Sequence, residues 1–244
     1  MILKVLFVLC LIAEAIFTPW YLKALWPEKC FKSLCLKMVC SCMFFSIGVL
    51  SVFISDNYSK FAITMLIGLG FGWIGDYFLH AKPTTKYFVT GFTSFMLGHI
   101  VYCKAFISAL PGIIPGYSQF NKAEVIFILS AFTVCVLLGK FIGKMQFNPS
   151  FLKYAVILYT FIIITMFTKA VSLGTGVYKS GDENGIFALL SLGIGAFFFL
   201  LSDGSLAFIL FGDKKKNYPL KIFNIITYFW GQVLLASSIL FINS

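Results

Sequence analysis

Charged residues are scarce in this chain, and arginine is absent from it. Only 11% of its 244 residues are charged, whereas a typical soluble domain has about 25%. With 60% hydrophobic residues, the chain cannot cover a globule with polar side chains, so its solvent must be lipid. All 19 basic residues are lysines. Because nucleic-acid recognition normally uses arginine, we expect no nucleic-acid partner, and we expect the lysine-rich loops to face anionic lipid headgroups.

Several familiar chemical motifs are missing as well. The seven cysteines include no CxxC pair, and only two histidines are present to join them as metal ligands. We therefore expect the cysteines to be small packing residues, with neither a disulfide framework nor a zinc site. The chain contains no GxSxG, HExxH or Walker sequence, which disfavours serine-hydrolase and metallohydrolase chemistry.

Long apolar runs fill most of the chain. A membrane-spanning helix needs about 20 mainly apolar residues, and short polar connections divide the sequence into eight runs of that kind. We predict an all-α, polytopic membrane protein that forms a single integral-membrane domain over residues 1–244. The predicted helices are 2–19, 34–54, 61–80, 87–109, 124–143, 151–172, 185–210 and 220–242.

The first apolar run has two interpretations. The sequence AEA at 13–15 loosely fits a signal-peptide cleavage site. However, apolar residues resume directly after it, and TPWY at 18–21 is typical of a helix end with aromatic residues at the membrane interface. We favour a first helix that is retained.

Lysines are distributed unevenly between the connections. The first, third, fifth and seventh connections and their flanks carry most of them, whereas Lys4, Lys60, Lys122 and Lys179 lie on the other side. The positive-inside rule therefore predicts that the odd-numbered connections are cytoplasmic and that both termini face away from the cytoplasm. The lysines of the odd-numbered connections are Lys23, Lys29, Lys32, Lys82, Lys86, Lys140, Lys144, Lys153, Lys214, Lys215, Lys216 and Lys221.

Two aspartates, Asp76 and Asp203, lie inside predicted helices three and seven. A carboxylate in the hydrocarbon region is costly, so it marks a candidate functional site. Both helices run toward the cytoplasm, and we expect the two carboxyl groups to face one cavity in that half of the membrane, within about 10 Å of each other. A purely structural role, with each acid bonded to neighbouring backbone or to a lysine, is the alternative for both residues.

Other polar side chains inside the helices are candidates for substrate binding or support. His99 and Tyr102 share a face of helix four, and we expect one of them to line the same cavity. Helix association through polar side chains is the alternative for most of these groups, and Lys169 is expected to snorkel to the far surface. The remaining candidates are His80, Ser202, Tyr159, Tyr228 and Gln232.

Four sequence blocks in helices three, four, seven and eight carry a resemblance to a known family. They are IGLGFGWIGDYFL (67–79), FVTGFTSFMLGHIVYCKAF (88–106), GIGAFFFLLSDGSLAF (193–208) and TYFWGQVLLASS (227–238). In this order they resemble the YhhN family of multi-pass membrane proteins, which includes lysoplasmalogenases. The resemblance implies an eight-helix fold with Asp76 and Asp203 as the catalytic pair.

The resemblance also implies an activity, namely hydrolysis of the vinyl ether bond of a lysoplasmalogen to a fatty aldehyde and a glycerophospho headgroup. A lyso-ether phospholipid is then the substrate, and no metal or organic cofactor is needed. The expected location is the cytoplasmic membrane of a bacterium or an endoplasmic-reticulum-type membrane of a eukaryote. Two other classes remain open: a proton-coupled transporter, whose sites also use intramembrane acids, and a non-catalytic lipid-binding protein.

Overall fold

The protein is an all-α bundle, as the sequence predicts. A computed structural model describes residues 1–26, 29–141, 144–147, 150–212 and 217–242. Within these ranges it has eight α-helices, each long and apolar enough to cross a membrane, and no strand. The helices are α1 (Ile2–Ala24), α2 (Phe31–Ser55), α3 (Lys60–Ala81), α4 (Thr85–Ile113), α5 (Lys122–Phe141), α6 (Phe151–Lys179), α7 (Gly185–Phe211) and α8 (Tyr218–Ser237), and a 3-10 turn (Ser238–Phe241) follows α8.

Several helices extend further than predicted. We predicted that α1 ends at Pro19, but the helix continues through this proline to Ala24. Tyr21 and Leu22 in the added turn are buried against the rest of the bundle. This packing outweighs the backbone hydrogen bond that a proline removes. In the same way α4 passes Pro111, and α6 runs beyond the predicted end at 172 to Lys179. The predicted end of helix five, 142–143, lies outside the described residues.

The helices differ in how much of each is buried. α2, α3, α4, α6, α7 and α8 form the body of the bundle, where α2 packs against α8 and α4 against α6. α5 packs chiefly on α6, and α1 packs on α2 and α8. Only 11% of the spanning window of α1 or α5 is buried, against 61% for α8. These two helices therefore present most of their surface to lipid.

The two ends of the bundle are named here by their connections. We call the end formed by the α1–α2, α3–α4, α5–α6 and α7–α8 connections the lysine-rich face. The chain begins and ends at the opposite face, because the number of spanning helices is even. Lys214, Lys215 and Lys216, which the sequence assigns to the lysine-rich face, lie outside the described residues.

A buried ion pair holds α5 to α6 near the opposite face. Lys169 is 0% exposed, so the expectation that it snorkels to the surface is wrong. Its Nζ lies 2.7 Å from Oε2 of Glu124 in the first turn of α5 and 3.9 Å from the centre of the Phe120 ring. Ser172 and Tyr117 donate to Oε1 of Glu124. Lys169 stays buried because the Glu124 carboxylate lies close enough to pair with its ammonium group, which therefore does not have to reach water.

The Lys169–Glu124 pair provides a test of this packing. Lys169→Met should lower the thermal unfolding midpoint in detergent, because breaking a buried pair leaves an uncompensated charge at a cost of about 3–5 kcal/mol. Lys179→Met, at an exposed position on the same helix, is the matched control and should have little effect. Equal midpoints for the two variants would contradict the buried pair.

The orientation of the bundle in the membrane is a second prediction. Since lysines concentrate at one face, a reporter fused to the C-terminus should be active only on the non-cytoplasmic side. A reporter inserted in the α3–α4 connection should be active in the cytoplasm. If the C-terminal reporter is active only in the cytoplasm, the orientation is wrong.

Candidate functional site

A cavity of about 1090 Å³ lies in the half of the bundle next to the lysine-rich face. Residues of α3 to α8 and of the connection 144–147 line it, and most of them are apolar or aromatic. Asp76 and Asp203 are both in its wall. They lie five and eight residues before the ends of α3 and α7, or about 8 and 12 Å along the helix axes. The two acids thus share one cavity in one half of the bundle.

Asp76 is surrounded by hydrogen-bond donors and a cation. Its side chain is 1% exposed, and its Oδ1 lies 2.9 Å from Nζ of Lys37 on α2. Its Oδ2 accepts hydrogen bonds from Ser41 Oγ at 2.6 Å and from Tyr228 OH at 2.7 Å. Charge-assisted bonds of this kind are roughly twice as strong as neutral ones. These donors replace the hydrogen bonds that water would make to an exposed carboxylate, and so stabilise its charge inside the bundle.

Asp203 has different neighbours and is more open to the cavity, with 13% of its side chain exposed. Tyr159 OH donates a hydrogen bond to its Oδ2, and Nε2 of His99 lies 3.1 Å from the same oxygen. Among the described residues, Nδ1 of His99 has no hydrogen-bond partner. Nε2 also lies 2.8 Å from Tyr159 OH. These contacts fit an imidazole that carries its proton on Nε2 and donates it toward the carboxylate and the phenol oxygen.

A chain of polar side chains extends from Asp76 into the bundle. Tyr102 OH donates to Oε1 of Gln232 at 3.0 Å, and Nε2 of Gln232 donates to Tyr228 OH at 3.2 Å. Tyr228 in turn donates to Asp76. Neither His99 nor Tyr102 is part of the cavity wall, contrary to our expectation for one of them. Each is instead linked to a wall aspartate, His99 directly and Tyr102 through two side chains.

An aromatic ring lies between the two polar groups. The ring of Phe199 is 1% exposed and packs edge-on against both His99 and Tyr228, at centroid distances of 5.0 and 5.6 Å. No hydrogen bond joins the Asp76 group to the Asp203 group in the described part of the chain. The two carboxylates therefore keep separate environments.

Of two other predicted site residues, His80 lies away from the cavity and Ser202 lies in its wall. His80 lies outside the cavity wall, on the side of α3 that faces α1 and α2, with Nε2 2.8 Å from Ser33 Oγ. Ser202 lines the cavity next to Asp203 and is bonded to Asn224, whose Nδ2 donates to Ser202 Oγ at 2.9 Å. This contact ties α7 to α8 beside the acid.

Sequence reasoning missed the donors on α2. Ser33, Lys37 and Ser41 are spaced four residues apart, so they lie on one face of the helix. That face meets Asp76 and His80, which have the same spacing on α3. The sequence did contain a signal for these donors, because three polar residues at helical spacing interrupt an otherwise apolar run. Asn224 on α8 gave no such signal.

Glu14 is a further buried acid. It lies in the middle of α1 and is 0% exposed, with Oε1 accepting a hydrogen bond from Thr18 at 2.9 Å. Its Oε2 has no partner among the described residues. It is not part of the cavity wall.

The family model described as the YhhN family matches residues 26–239. The chain belongs to the YhhN family. The matched range holds every residue of the Asp76 and Asp203 groups, whereas α1 with Glu14 precedes it. Comparisons with curated proteins and with solved structures found no match.

Among the described residues of this YhhN protein, no group of three or more His, Cys, Asp or Glu side chains is placed to hold a metal ion. The polar groups of the site are carboxylates, phenols, an imidazole, an ammonium, serine hydroxyls and side-chain amides. These groups transfer protons and stabilise charge.

Glycines of α3 make room for the polar chain. A Cβ added at Gly68 would lie 2.4 Å from the Tyr102 ring, and one at Gly72 would lie 2.4 Å from Nε2 of Gln232. At Gly75 it would lie 2.7 Å from the Phe95 ring, whereas at Gly70 the nearest atom is 3.8 Å away. At Gly68, Gly72 and Gly75, side chains of α4 and α8 therefore pack directly against the backbone of α3.

The α3 glycines give a matched pair of variants. Gly68→Ala should lower the unfolding midpoint in detergent, because overpacking of this kind costs about 1–3 kcal/mol. Gly70→Ala, on the same helix, should be tolerated. If Gly68→Ala proves as stable as Gly70→Ala, Tyr102 does not pack on α3 as described.

Proposed function

We propose that this YhhN protein hydrolyses the vinyl ether bond of lysoplasmalogens, in a reaction that uses Asp76 and Asp203. The observation that carries the proposal is a pair of carboxylates on one apolar cavity with unlike surroundings. A pair of acids whose environments differ is the arrangement that acid–base chemistry requires. Membership of the YhhN family supports the same conclusion.

The chemistry begins with proton transfer to carbon. An acid protonates the β-carbon of the vinyl ether, and the electrons of the double bond form the new C–H bond. The remaining oxocarbenium ion is the same kind of cation that glycosidases stabilise with two carboxylates. Water then adds to the carbon that bears the oxygen and loses a proton to a base. The resulting hemiacetal collapses to a fatty aldehyde and the free glycerol hydroxyl of the headgroup product.

The surroundings suggest which acid does which step. Asp76 is paired with Lys37 and accepts hydrogen bonds from two hydroxyl groups. These contacts favour its ionised form, which would stabilise the oxocarbenium ion. Both contacts of Asp203 go to Oδ2, which leaves Oδ1 to carry a proton toward the substrate. Tyr159 and His99 then hold Asp203 in position. After it has given up its proton, Asp203 can take the proton of the incoming water, which restores the acid for the next turnover.

The location of the acids also suits the substrate. A single-chain lipid is an amphiphile, and the cavity wall is mostly apolar, with the aspartates and their polar neighbours at one end and three lysines at the end nearest the lysine-rich face. α5 forms one wall and packs chiefly on α6, so a lipid chain has a lateral route past it. The volume of about 1090 Å³ is slightly larger than the usual small-molecule pocket of about 300–1,000 Å³.

Proton-coupled transport is the second candidate. Glu14, a buried acid outside the cavity wall with one unpartnered oxygen in the described part of the chain, favours it. A carboxyl group in that setting is suited to take up and release protons within the membrane.

Aldehyde release from purified protein tests the proposal. Asp76→Asn and Asp203→Asn should each reduce turnover of a 1-alkenyl lysophospholipid by about 10²–10⁴-fold, the usual contribution of acid–base catalysis. Asp182→Asn, at an exposed site near the opposite face, should retain full turnover. Unfolding midpoints in detergent should show that all three variants are folded.

Two outcomes would reject this reaction. Full turnover by both site variants would mean that the chemistry lies elsewhere. If the wild type releases no aldehyde from any lyso-ether lipid but moves protons across vesicle membranes, and Glu14→Gln abolishes that movement, the transporter replaces the hydrolase.

A further inference from the structure

Three lysines line the cavity at its end nearest the lysine-rich face. Lys140 is near the end of α5, Lys144 is in the α5–α6 connection, and Lys153 is in the first turn of α6. All three side chains are exposed. The only acids in the described cavity wall are Asp76 and Asp203, which lie deeper. We call this end of the cavity its mouth. The mouth is cationic, because the three lysines have no acidic neighbour in the described part of the wall.

The spacing of residues along α6 gives the distance between these lysines and Asp203. Lys153 precedes Tyr159, the partner of Asp203, by six residues on the same helix, which is about 9 Å along its axis. A flexible lysine side chain covers part of this distance. A ligand that reaches both ends therefore has an anionic group only a few bonds from the group that meets Asp203.

The wall between the two ends is apolar. Phe88, Phe92 and Phe147 line the cavity there, and Gln146 N donates to Phe211 O at 2.8 Å, which ties the α5–α6 connection to the end of α7. An inorganic anion has nothing to gain from such a wall, whereas the chain of an amphiphile gains from burial. The geometry points to an anionic, single-chain amphiphile.

We propose that Lys140, Lys144 and Lys153 bind the phosphate of a lysophospholipid and place its ether bond at Asp203. This inference rests on the proposed function and names the part of the substrate that the site recognises. Lysine is a point charge that suits phosphate without fixed geometry. Because no carboxylate lies at the mouth among the described wall residues, the amine of the headgroup has no anionic partner there. The site therefore recognises the phosphate and accepts ethanolamine and choline headgroups alike.

Binding measured apart from catalysis tests the proposal. The probes are a saturated 1-alkyl glycerophosphoethanolamine, which has no vinyl ether to cleave, the matching 1-alkylglycerol and inorganic phosphate. Wild-type protein should bind the phospholipid more tightly than either of the others. Changing Lys140, Lys144 and Lys153 together to Gln should weaken phospholipid binding roughly tenfold, as three exposed charge pairs would, and leave alkylglycerol binding unchanged.

Two further triple variants serve as controls. Changing the same three lysines to Arg keeps the charge and should retain binding. Changing Lys32, Lys82 and Lys86 to Gln removes three exposed charges near the same face but outside the cavity wall, and it should have no effect. If this second set weakens binding as much as the first, the lysines act only on the membrane surface and the subsite is rejected.

The outcomes separate the subsite from the reaction. If the wild type binds the alkyl phospholipid through these lysines but cleaves no alkenyl lipid, the proposed reaction fails and the subsite stands. If the wild type cleaves 1-alkenylglycerol as efficiently as the alkenyl phospholipids, and the Gln variant changes neither, the reaction stands and the subsite fails. Inorganic phosphate that binds as tightly as the lipid would also overturn the subsite.

Discussion

Burial of a carboxylate in an apolar bundle requires the protein to supply the donors that water would otherwise provide. At Asp76 this requirement is met by Lys37, Ser41 and Tyr228, which come from α2 and α8. Three helices must therefore meet at one point. Polar contacts thus join α2, α3 and α8 in addition to their apolar packing.

The same requirement explains the small and aromatic residues around the acid. Tyr228 is oriented by Gln232, and Gln232 by Tyr102, so each hydroxyl or amide in the chain has a partner. These side chains fit because α3 has Gly68 and Gly72 beneath them. A buried polar network that is fully partnered makes one arrangement strongly preferred. Phe199 then keeps this network apart from the Asp203 group, which allows the two carboxylates different surroundings.

Much of the fold was predictable because lipid imposes a simple rule on sequence. Helices must be long and apolar, and all eight were recognised from that rule with ends that differ by up to seven residues. The helix ends were less predictable: α1 passes Pro19 because Tyr21 and Leu22 gain burial, and such packing is not visible in hydropathy. The two acids were recognisable as exceptions to the rule.

What could not be predicted is pairing between distant residues. Lys169 and Glu124 each looked like a residue near a helix end, and only the fold brings them together. The stripe of Ser33, Lys37 and Ser41 marks a polar face of α2, but it does not say which residue this face meets, and a lysine near the end of a helix normally reaches the membrane surface. The role of Lys37 beside Asp76 depends on the register between α2 and α3. Such register is set by the whole bundle, so no local pattern carries it.

The position of α5 follows from these pairings and bears on access to the cavity. It is held near the opposite face by Glu124 and Lys169, and near the lysine-rich face by the connection that bonds to Phe211. Between these two attachments it packs chiefly on α6 and exposes much of its surface to lipid. Between the attachments, Phe127 and Phe132 pack on Phe167 and Phe161 of α6, so α5 is fixed at its ends and along one side. Under the proposed function, the side that is left to lipid is the one past which a lipid chain would enter the cavity, and such entry would not require α5 to unfold.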